Sequence, residues 1–410
     1  MIAFSQFILY ISIIVRFVNA ELRLLVIGGE TLLPRYGAKM ILGDVELIDP
    51  FNTDSDCQKP PDLPFPRKCL IAEYLDNHPF IIGGGNVGVM YDTSLVLINN
   101  TWIDTPIRLN HLRYCAVSAQ PKYQKMWVLG GDVRGTHTGM TSEVLQQFSI
   151  EYKKSGQKNT DNSDRQGIDT SNGDNTTVGF IDAMNAPKDL KYSKTSRKCI
   201  SKINDTHLFI VGYQTGLSYI VDATKLPYTY KALPKMKFGS HNGGACATIQ
   251  DSLGVIRLFV IGGGTAQLHK MNSSVMRKTE FYDFFLNTWI EGPDLPRMFY
   301  MGGFVQYPDD RGFILIGGED LTNAKRQFRY FSDVMRYNQT LNKFEYLPRA
   351  LNIPRSRFGA MLVETKDDEN CTMIVPKITT SLANRSRPDF YNWSIICVIG
   401  LCTISRFVGL

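Results

Sequence analysis

Short apolar runs that end in a pair of glycines recur along the chain. Each run contains four or five Val, Ile, Leu or aromatic residues, which predicts a strand that is buried on both faces and bends at its end. Apolar residues at helical spacing are absent, so the pattern predicts an all-β protein. A sixth run, LFIVGY, keeps only the first glycine and ends at Tyr213. The complete pairs are Gly28 and Gly29, Gly83 and Gly84, Gly130 and Gly131, Gly262 and Gly263, and Gly317 and Gly318.

The spacing of these runs defines a repeat. The first glycines of successive runs are separated by 55, 47, 82, 50 and 55 residues, so the period is near fifty. The long interval contains residues 151–179, which are rich in Asn, Asp, Ser, Gly and Thr and cannot bury apolar surface. We therefore predict that 151–179 is a polar loop inserted into one repeat and dispensable for folding.

Further short strands surround each run. One strand precedes it, as in 113–119 and 244–249, and two follow it. In the fifth repeat Tyr282 and Trp289 lie seven residues apart across a turn, and in the second repeat Trp102 occupies the tryptophan position. We expect these aromatic residues and the glycine pairs to pack between neighbouring repeats and not to bind a ligand.

An apolar strand, a glycine pair, then an aromatic residue and a Trp, at a period near fifty, resemble the kelch repeat. The resemblance covers roughly residues 22–375 and implies that the repeats are four-stranded blades of a β-propeller. The chain departs from the kelch pattern in the fourth repeat, which lacks the second glycine, and the first, third and fourth repeats lack the Trp.

The two ends of the repeat region predict how the propeller closes. The first run follows directly on residue 21, and no strand fits before it. The segment GAMLVE, 359–364, has no glycine-pair run after it. We predict that 359–364 joins the blade that begins at Leu24, which gives six blades closed by a C-terminal strand. Seven blades are the alternative if CTMIVP, 371–376, is a degenerate second strand.

The first twenty residues predict a secretory signal peptide cleaved before Glu21, followed by a propeller domain at 21–376. An uncleaved anchor is the alternative, because no Lys or Arg precedes the apolar run. Secretion makes Asn-x-Ser/Thr sequons candidate glycosylation sites, and five of them fall where the repeat predicts exposed loops or turns. The sequons begin at Asn99, Asn175, Asn204, Asn272, Asn338, Asn370, Asn384 and Asn392.

Six of the eight cysteines lie outside the tail. Cys69, Cys115, Cys199 and Cys246 are assigned to one repeat position, on the strand before the glycine-pair run. They are buried thiols, or they pair as Cys69 with Cys115 and Cys199 with Cys246, since we expect neighbouring blades to place them near the limit of disulfide reach. A Cys57–Cys371 disulfide within the blade built from both chain ends is a further hypothesis, and its rival is Cys57 with Cys69.

Residues 377–410 form a tail with an apolar end at 395–410. That end is shorter than the roughly 20 residues that span a bilayer as a helix. A glycolipid-anchor signal is one interpretation, which would hold the protein at the cell surface.

Composition excludes several classes of function. Lys and Arg number 45 against 39 Asp and Glu, a net charge of +6 without a basic stripe, so we expect no nucleic-acid partner. The hydrophobic fraction of 43% is too high for a mainly disordered chain. Cysteine and histidine spacings suit no metal site, and we expect no cofactor. The histidines are interpreted as surface or turn residues: His78, His111, His137, His207, His241 and His269.

These observations favour a non-catalytic extracellular protein whose propeller loops bind a protein or glycan partner. The sequence does not identify the ligand-binding residues. The kelch resemblance also implies a copper-radical oxidase-like enzyme as an alternative, with Tyr and His ligands for which no histidine pair is found. A structural matrix component is the third hypothesis.

Overall fold

A computed structural model describes most of the repeat region and two short pieces of the tail. Residues 1–19 of the predicted signal peptide, 1–20, lie outside the described part. The described residues are 20–33, 38–53, 57–75, 78–109, 112–122, 125–131, 144–152, 176–185, 199–212, 216–239, 241–251, 253–264, 277–307, 312–320, 329–366, 371, 373, 396–398 and 401–403.

Within the described residues every long regular element is a β-strand. In chain order the strands are β1 (Ala20–Ile27), β2 (Glu30–Leu32), β3 (Lys39–Ile41), β4 (Val45–Ile48), β5 (Ile71–Leu75), β6 (His78–Ile82), β7 (Gly85–Asn86), β8 (Val89–Met90), β9 (Thr93–Ile98), β10 (Thr101–Arg108), β11 (Val117–Lys122), β12 (Lys125–Leu129), β13 (Val144–Tyr152), β14 (Thr176–Asn185), β15 (Cys199–Lys202), β16 (His207–Gly212), β17 (Leu217–Asp222), β18 (Thr229–Ala232), β19 (Ala245–Gln250), β20 (Ile256–Ile261), β21 (Thr279–Asp283), β22 (Thr288–Glu291), β23 (Gly303–Gln306), β24 (Phe313–Asp320), β25 (Arg329–Asn338), β26 (Lys343–Tyr346), β27 (Gly359–Lys366), β28 (Ile396–Val398) and β29 (Leu401–Thr403).

The strands form a β-propeller arrangement with five four-stranded antiparallel sheets. Their strand orders are β5-β6-β9-β10, β11-β12-β13-β14, β15-β16-β17-β18, β19-β20-β21-β22 and β23-β24-β25-β26. A further sheet has three strands in the order β27-β1-β4. Two short hairpins, β2–β3 and β7–β8, follow the first two glycine pairs.

Strands from the two ends of the repeat region pair with each other. β27 runs antiparallel to β1 from Gly359 opposite Ile27 to Lys366 opposite Ala20. Each of the other sheets begins with a first strand that occupies the same edge position: β5, β11, β15, β19 and β23. Contacts link neighbouring first strands from β27 through β5, β11, β15 and β19, and again from β23 to β27. Hydrogen bonds between Thr248 and Gln306 join β19 to β23.

The hydrophobic core lies between successive sheets. Because side chains alternate along a strand, each central strand sends residues to both of its neighbours. On β1, Leu25 and Ile27 pack with Ile81 of the next sheet, whereas Leu24 and Val26 pack with Ile314 of the last four-stranded sheet. This alternation explains why the apolar runs, which were predicted as strands buried on both faces, are buried.

The tryptophans form hydrogen bonds that connect one sheet to the loop that leaves the preceding sheet. The Trp102 indole N–H donates to the Pro61 carbonyl at 2.8 Å, and the Trp289 indole N–H donates to Pro234 at 2.9 Å. Trp289 is 1% exposed and Trp102 is half-buried. Tyr282 closes its own turn by donating from its hydroxyl to the Asn287 side chain.

The structure corrects the bounds of the polar insertion. β13 extends to Tyr152 and β14 begins at Thr176, with Glu151 opposite Thr177 and Ser149 opposite Gly179. The residues at both ends of the predicted loop 151–179 therefore belong to strands, and they pair with each other at the end of the β13–β14 hairpin. This happens because Thr and Val at 176–178 have enough β-propensity to continue the ladder despite their polar neighbours.

The first sheet also differs from prediction. The kelch resemblance implies four strands in each blade, but the segment 57–63, which begins at Cys57, contains no strand, and this sheet has only three strands. Hydrogen bonds from the Leu63 N–H to Gly43 and from the Val45 N–H to Asp62 hold this segment beside the sheet. Of residues 371–376, Cys371 and Met373 are described, and Met373 bridges Thr365 of β27.

Residues 375–410 form a separate unit, in which β28 and β29 pair as a short hairpin. No helix in the described ranges has the length and apolar character needed to cross a membrane.

Candidate functional site

The loops at the glycine-pair end of the sheets share one backbone geometry. Two positions before each of five first strands, one residue has φ between 57° and 74°. In four of these five residues the N–H donates to the carbonyl of the equivalent residue in the neighbouring loop, which links the loops in series. We call this series the backbone girdle. The donations run from Cys115 to Cys69, Cys69 to Arg357, Arg357 to Met301 and Met301 to Gly243.

Buried arginines two positions before three girdle residues attach each loop to a glycine pair. Arg67, Arg113 and Arg355 are at most 1% exposed. Each donates from Nη1 to the carbonyl oxygen of the first glycine of a pair, over 3.4 Å to Gly83, 3.0 Å to Gly130 and 3.0 Å to Gly28 respectively. These contacts satisfy carbonyls that the bend at the glycine pair removes from the sheet ladder.

His241 occupies the same position in the fifth repeat. Its Nδ1 lies 2.6 Å from the Gly262 carbonyl and its Nε2 lies 2.9 Å from Glu280, and the side chain is fully buried. The prediction that His241 is a surface or turn residue is wrong, because its imidazole replaces the buried arginine. His111, His137 and His269 lie outside the described residues.

Three cysteine pairs lie at disulfide distance. The Cα atoms are 4.2 Å apart for Cys69 and Cys115, and 5.8 Å apart for Cys199 and Cys246. Cys57 and Cys371, with Cα atoms 5.1 Å apart, bring the ends of the repeat region together. The rival pairing of Cys57 with Cys69 does not occur in this arrangement.

The four internal cysteines do not share one repeat position. Cys69 and Cys115 precede their strands as girdle residues, whereas Cys199 and Cys246 lie inside β15 and β19. In the strand pairing Cys199 lies opposite Val211, directly before Gly212. The Arg-x-Cys motif of the fourth repeat is therefore displaced by two residues, which its sequence alone conceals.

A charged cluster interrupts this regular end of the propeller. Glu30 and Glu319 directly follow the second glycine of their pairs, in neighbouring sheets. Both are fully buried. The Arg357 guanidinium lies between them, with Nε 3.2 Å from Glu30 and Nη2 donating to Glu319 at 2.6 Å. The girdle position of Arg357 places its side chain there.

Two lysines and two hydroxyls complete the charged cluster. Lys39 on β3 approaches Glu30 at 3.3 Å, and Lys68, beside the girdle residue Cys69, forms a second ion pair with Glu30. The Tyr330 hydroxyl donates to Glu30 at 3.2 Å, and the Ser356 hydroxyl donates to Glu319 at 2.8 Å. Glu30 is therefore contacted by groups on β3, on the loops of Lys68 and Arg357, and on β25 of a neighbouring sheet.

The electrostatics of the cluster favour an ionised Glu30 carboxylate beneath fixed cations. Burial alone would raise the pKa of Glu30, but Arg357 and Lys68 outweigh it and lower that pKa to about 2. Burial opposes the charge of Arg357, yet Glu319 and Glu30 raise its pKa above the usual value. Burial and the neighbouring Glu30 raise the pKa of Tyr330, so this phenol stays a neutral donor.

In the charged cluster the negative side chains are buried and the positive side chains are partly exposed to solvent. The side chains of Glu30 and Glu319 are 0% exposed, whereas those of Lys39, Lys68 and Arg357 are 34%, 19% and 19% exposed. Three cations against two carboxylates leave an excess of one positive charge, and all of the solvent-facing charge is positive. The arrangement can attract a carboxylate or another anion, and it leaves no carboxylate free to act as a base.

Sequence reasoning missed this cluster. The available signal was a Glu directly after the glycine pair in two of the repeats, where the second and fifth repeats have Gly85 and Gly264. Its partner Arg357 is hundreds of residues from Glu30, and only the pairing of β27 with β1 brings the two together.

A second polar group lies on the first strands. Glu73 on β5 accepts a hydrogen bond from Ser118 on β11, and burial raises its pKa to about 7. Ser201 contacts both Thr248, at 3.0 Å, and Gln306, at 3.3 Å. Because Ser201, Thr248 and Gln306 come from three successive sheets, these contacts bring β15, β19 and β23 together.

The described residues contain no group of three or more His, Cys, Asp or Glu side chains placed to hold a metal ion. Among the sequons, Asn99 and Asn204 are exposed in the β9–β10 and β15–β16 turns. Asn338 is half-buried, and its side-chain nitrogen donates to Glu345 at 3.1 Å. Asn175, Asn272, Asn370, Asn384 and Asn392 lie outside the described part.

Comparison with known proteins supports the fold and nothing narrower. No family model and no curated protein matches this chain. Among solved structures, the one titled "Structure of YjhT" is similar with a TM-score of 0.54 and 12% sequence identity, over 78% of this chain and 96% of that one. At this identity the likeness shows that the chain has a β-propeller fold, and it shows nothing about function.

Proposed function

We propose that this protein is a secreted, six-bladed kelch-type propeller that binds an extracellular protein or glycan partner and is not an enzyme. The observation that carries the proposal is the charged cluster, in which partly exposed cations are held in fixed positions over two buried carboxylates. Such a surface is built at a cost in desolvation, and it suits the recognition of an anionic group.

The blade count rests on strand pairing. The three-stranded sheet of β27, β1 and β4 supports a sixth blade, and the contacts from β5 round to β27 support a closed ring. The kelch assignment is supported by the glycine pairs at the strand ends and by Trp102 and Trp289 at their repeat position.

The extracellular setting is supported by the three cysteine pairs at disulfide distance, because disulfides persist in oxidising compartments. Exposed sequon asparagines at Asn99 and Asn204 agree with passage through the secretory route. The apolar end of the tail remains a candidate anchor signal.

A non-catalytic role is favoured because Glu30 and Glu319 are both engaged by cations and hydroxyls. The alternatives are the copper-radical oxidase-like enzyme and the matrix component. An oxidase requires a stoichiometric metal, and a matrix component requires self-assembly, so each alternative has its own measurement.

The test uses the full chain expressed in a eukaryotic secretory system. The purified glycoprotein is immobilised and exposed to extracellular extract, and retained proteins and glycans are measured as a function of extract concentration. We expect saturable retention of a discrete partner, less than 0.1 equivalent of copper as an order-of-magnitude bound, and a monodisperse monomer or small oligomer. Stoichiometric copper, or polymerisation without a retained partner, contradicts the proposal.

A further inference from the structure

We propose that the glycine-pair end of the first two sheets is a docking surface for a peptide segment of a protein partner, one with a carboxylate beside apolar side chains. This inference deepens the proposed function and rests on it. It assigns the surface to the charged cluster together with the two hairpins β2–β3 and β7–β8.

The three cations of the charged cluster supply the first half of the match, which is the part that would bind the peptide carboxylate. Lys39, Lys68 and Arg357 all contact Glu30, so they converge within a few ångströms of one another. All three cations are partly exposed, and the two carboxylates that they contact lie buried beneath them. An incoming carboxylate would match these cations in both sign and size.

Exposed apolar side chains on the two hairpins supply the second half of the match. Met40 follows Lys39 on β3 and is 38% exposed, and the β7–β8 hairpin exposes Val87 at 85% and Val89 at 49%. The base of that hairpin is tied to the cluster, because Lys68 and Gly85 exchange backbone hydrogen bonds of 2.9 Å each. The β7–β8 hairpin that exposes Val87 and Val89 is therefore joined at its base to the loop that carries Lys68.

The surface is held rigid from below. The girdle fixes the loop of Arg357 to those of Met301 and Cys69, and the pairing of Cys69 with Cys115 ties the next loop to it. A preorganised site loses little conformational entropy on binding, so a short segment can be recognised with useful affinity.

The mixed chemistry favours a peptide over a sulfated glycan. A sulfated chain binds an extended array of uncompensated cations and has no use for Val87, Val89 and Met40. A peptide offers a carboxylate and apolar side chains within a few residues. The described sequon residues Asn99, Asn204 and Asn338 lie at the opposite ends of the sheets, so glycans attached to these three residues would not cover the glycine-pair end.

The experiment selects peptides from a random display library on the full-length purified protein and measures their affinities by fluorescence anisotropy. Variants Lys39→Gln and Val87→Ser alter the proposed surface at partly exposed side chains. Lys343→Gln and Phe285→Ser make the same changes at the opposite end of the sheets, where Lys343 is 55% and Phe285 is 95% exposed. Circular dichroism confirms that all four fold.

We expect the selected peptides to contain Asp or Glu next to apolar residues. Lys39→Gln and Val87→Ser should each weaken binding by roughly fivefold or more, while the two control variants stay within about twofold. Replacing the peptide carboxylate by its amide should weaken binding of the wild type by a similar factor.

Selected peptides without carboxylates, no selected peptides, or affinities that respond to Phe285→Ser and not to Val87→Ser would overturn the proposal. So would a heparin oligosaccharide whose binding, unlike that of the peptides, depends on Lys39. If the variants still retain the partner found in extracellular extract, the surface is wrong but the binding function stands. If the wild type retains no partner, the proposed function itself fails.

Discussion

Cys57 and Cys371 are separated by 314 residues in the chain, yet their Cα atoms lie 5.1 Å apart. Their sulfur atoms lie at disulfide distance beside the sheet that joins the two ends of the repeat region. Cys371 is buried among side chains of that sheet and the next, and Cys57 packs against the same group. A covalent link here joins the two ends of the repeat region rather than the strands of one hairpin.

Replacing Cys57 and Cys371 together by Ser should destabilise the protein more than replacing Cys199 and Cys246. A cross-link removes more entropy from the unfolded chain when the closed loop is longer, with a model-dependent ceiling of roughly 5 kcal/mol for the long loop and about 4 kcal/mol for the loop of 47 residues. Urea unfolding of both double variants measures the difference. Equal destabilisation, or free thiol at Cys371 in the wild type, would contradict it.

Gly29→Ala should destabilise the protein by about 3 kcal/mol or more. Gly29 has φ 103°, and an added Cβ would lie 2.7 Å from the Ser356 carbonyl oxygen and 2.9 Å from the Phe358 Cβ. Backbone of the loop between the last and first sheets cannot move away without breaking the ion pairs around Glu30.

Gly88→Ala is the matched control for Gly29→Ala. Gly88 also has a positive φ, of 75°, but nothing lies within 4 Å of its added Cβ. Only the backbone strain of about 1 kcal/mol is expected there. Thermal unfolding of the two variants separates strain from close packing, and similar losses in both would show that packing at Gly29 is unimportant.

Sequence reasoning predicted the strands well because each is defined locally. The glycine pairs marked the ends of strands such as β1 and β24, and GAMLVE was predicted to join the strand at Leu24, where β27 indeed pairs. These features depend on patterns a few residues long, which repeat and so reinforce one another.

The features that could not be predicted from the sequence depend on strand register and on contacts between residues that lie far apart in the chain. Cys199 resembled Cys69 because both follow Arg-x, but the strand pairing shifts it by two positions. His241 looked like a turn residue because its burial comes from Gly262 and Glu280, which lie 21 and 39 residues away. Glu30 and Arg357 meet only when the first and last strands pair.

Deleting residues 153–175 should leave the melting temperature within a few degrees of the wild type. The segment is too polar to bury apolar area, and its ends are already brought together by Tyr152 opposite Thr176. A deletion of 151–179 should be more harmful, because it also removes the pairing of Glu151 with Thr177 and leaves Ser149 without Gly179. Differential scanning fluorimetry of the two deletions tests this, and a collapse of the shorter one would show that 153–175 contributes to the core.

Glu73→Gln should stabilise the protein above neutral pH. Burial between β5 and β11 raises the pKa of Glu73 from 4.5 to about 7, despite a hydrogen bond from Ser118 that lowers it. The folded state therefore holds the proton more tightly than the unfolded state. The stability from the protonated form is fully present below pH 4.5 and is lost as the pH rises through about 7. The loss should amount to roughly 1–3 kcal/mol for a partly solvated carboxyl.

The measurement is urea unfolding of the wild type and Glu73→Gln at pH 5.0, 7.0 and 8.5. The amide keeps the hydrogen bond with Ser118 but cannot ionise, so the two proteins should be similar at pH 5.0 and should diverge as the pH rises, with the variant more stable. The difference between them isolates Glu73 from all other titrating groups. If the difference is the same at pH 5.0 and 8.5, Glu73 ionises equally in the folded and unfolded states, and the first strands have no pH-sensitive contact at this position.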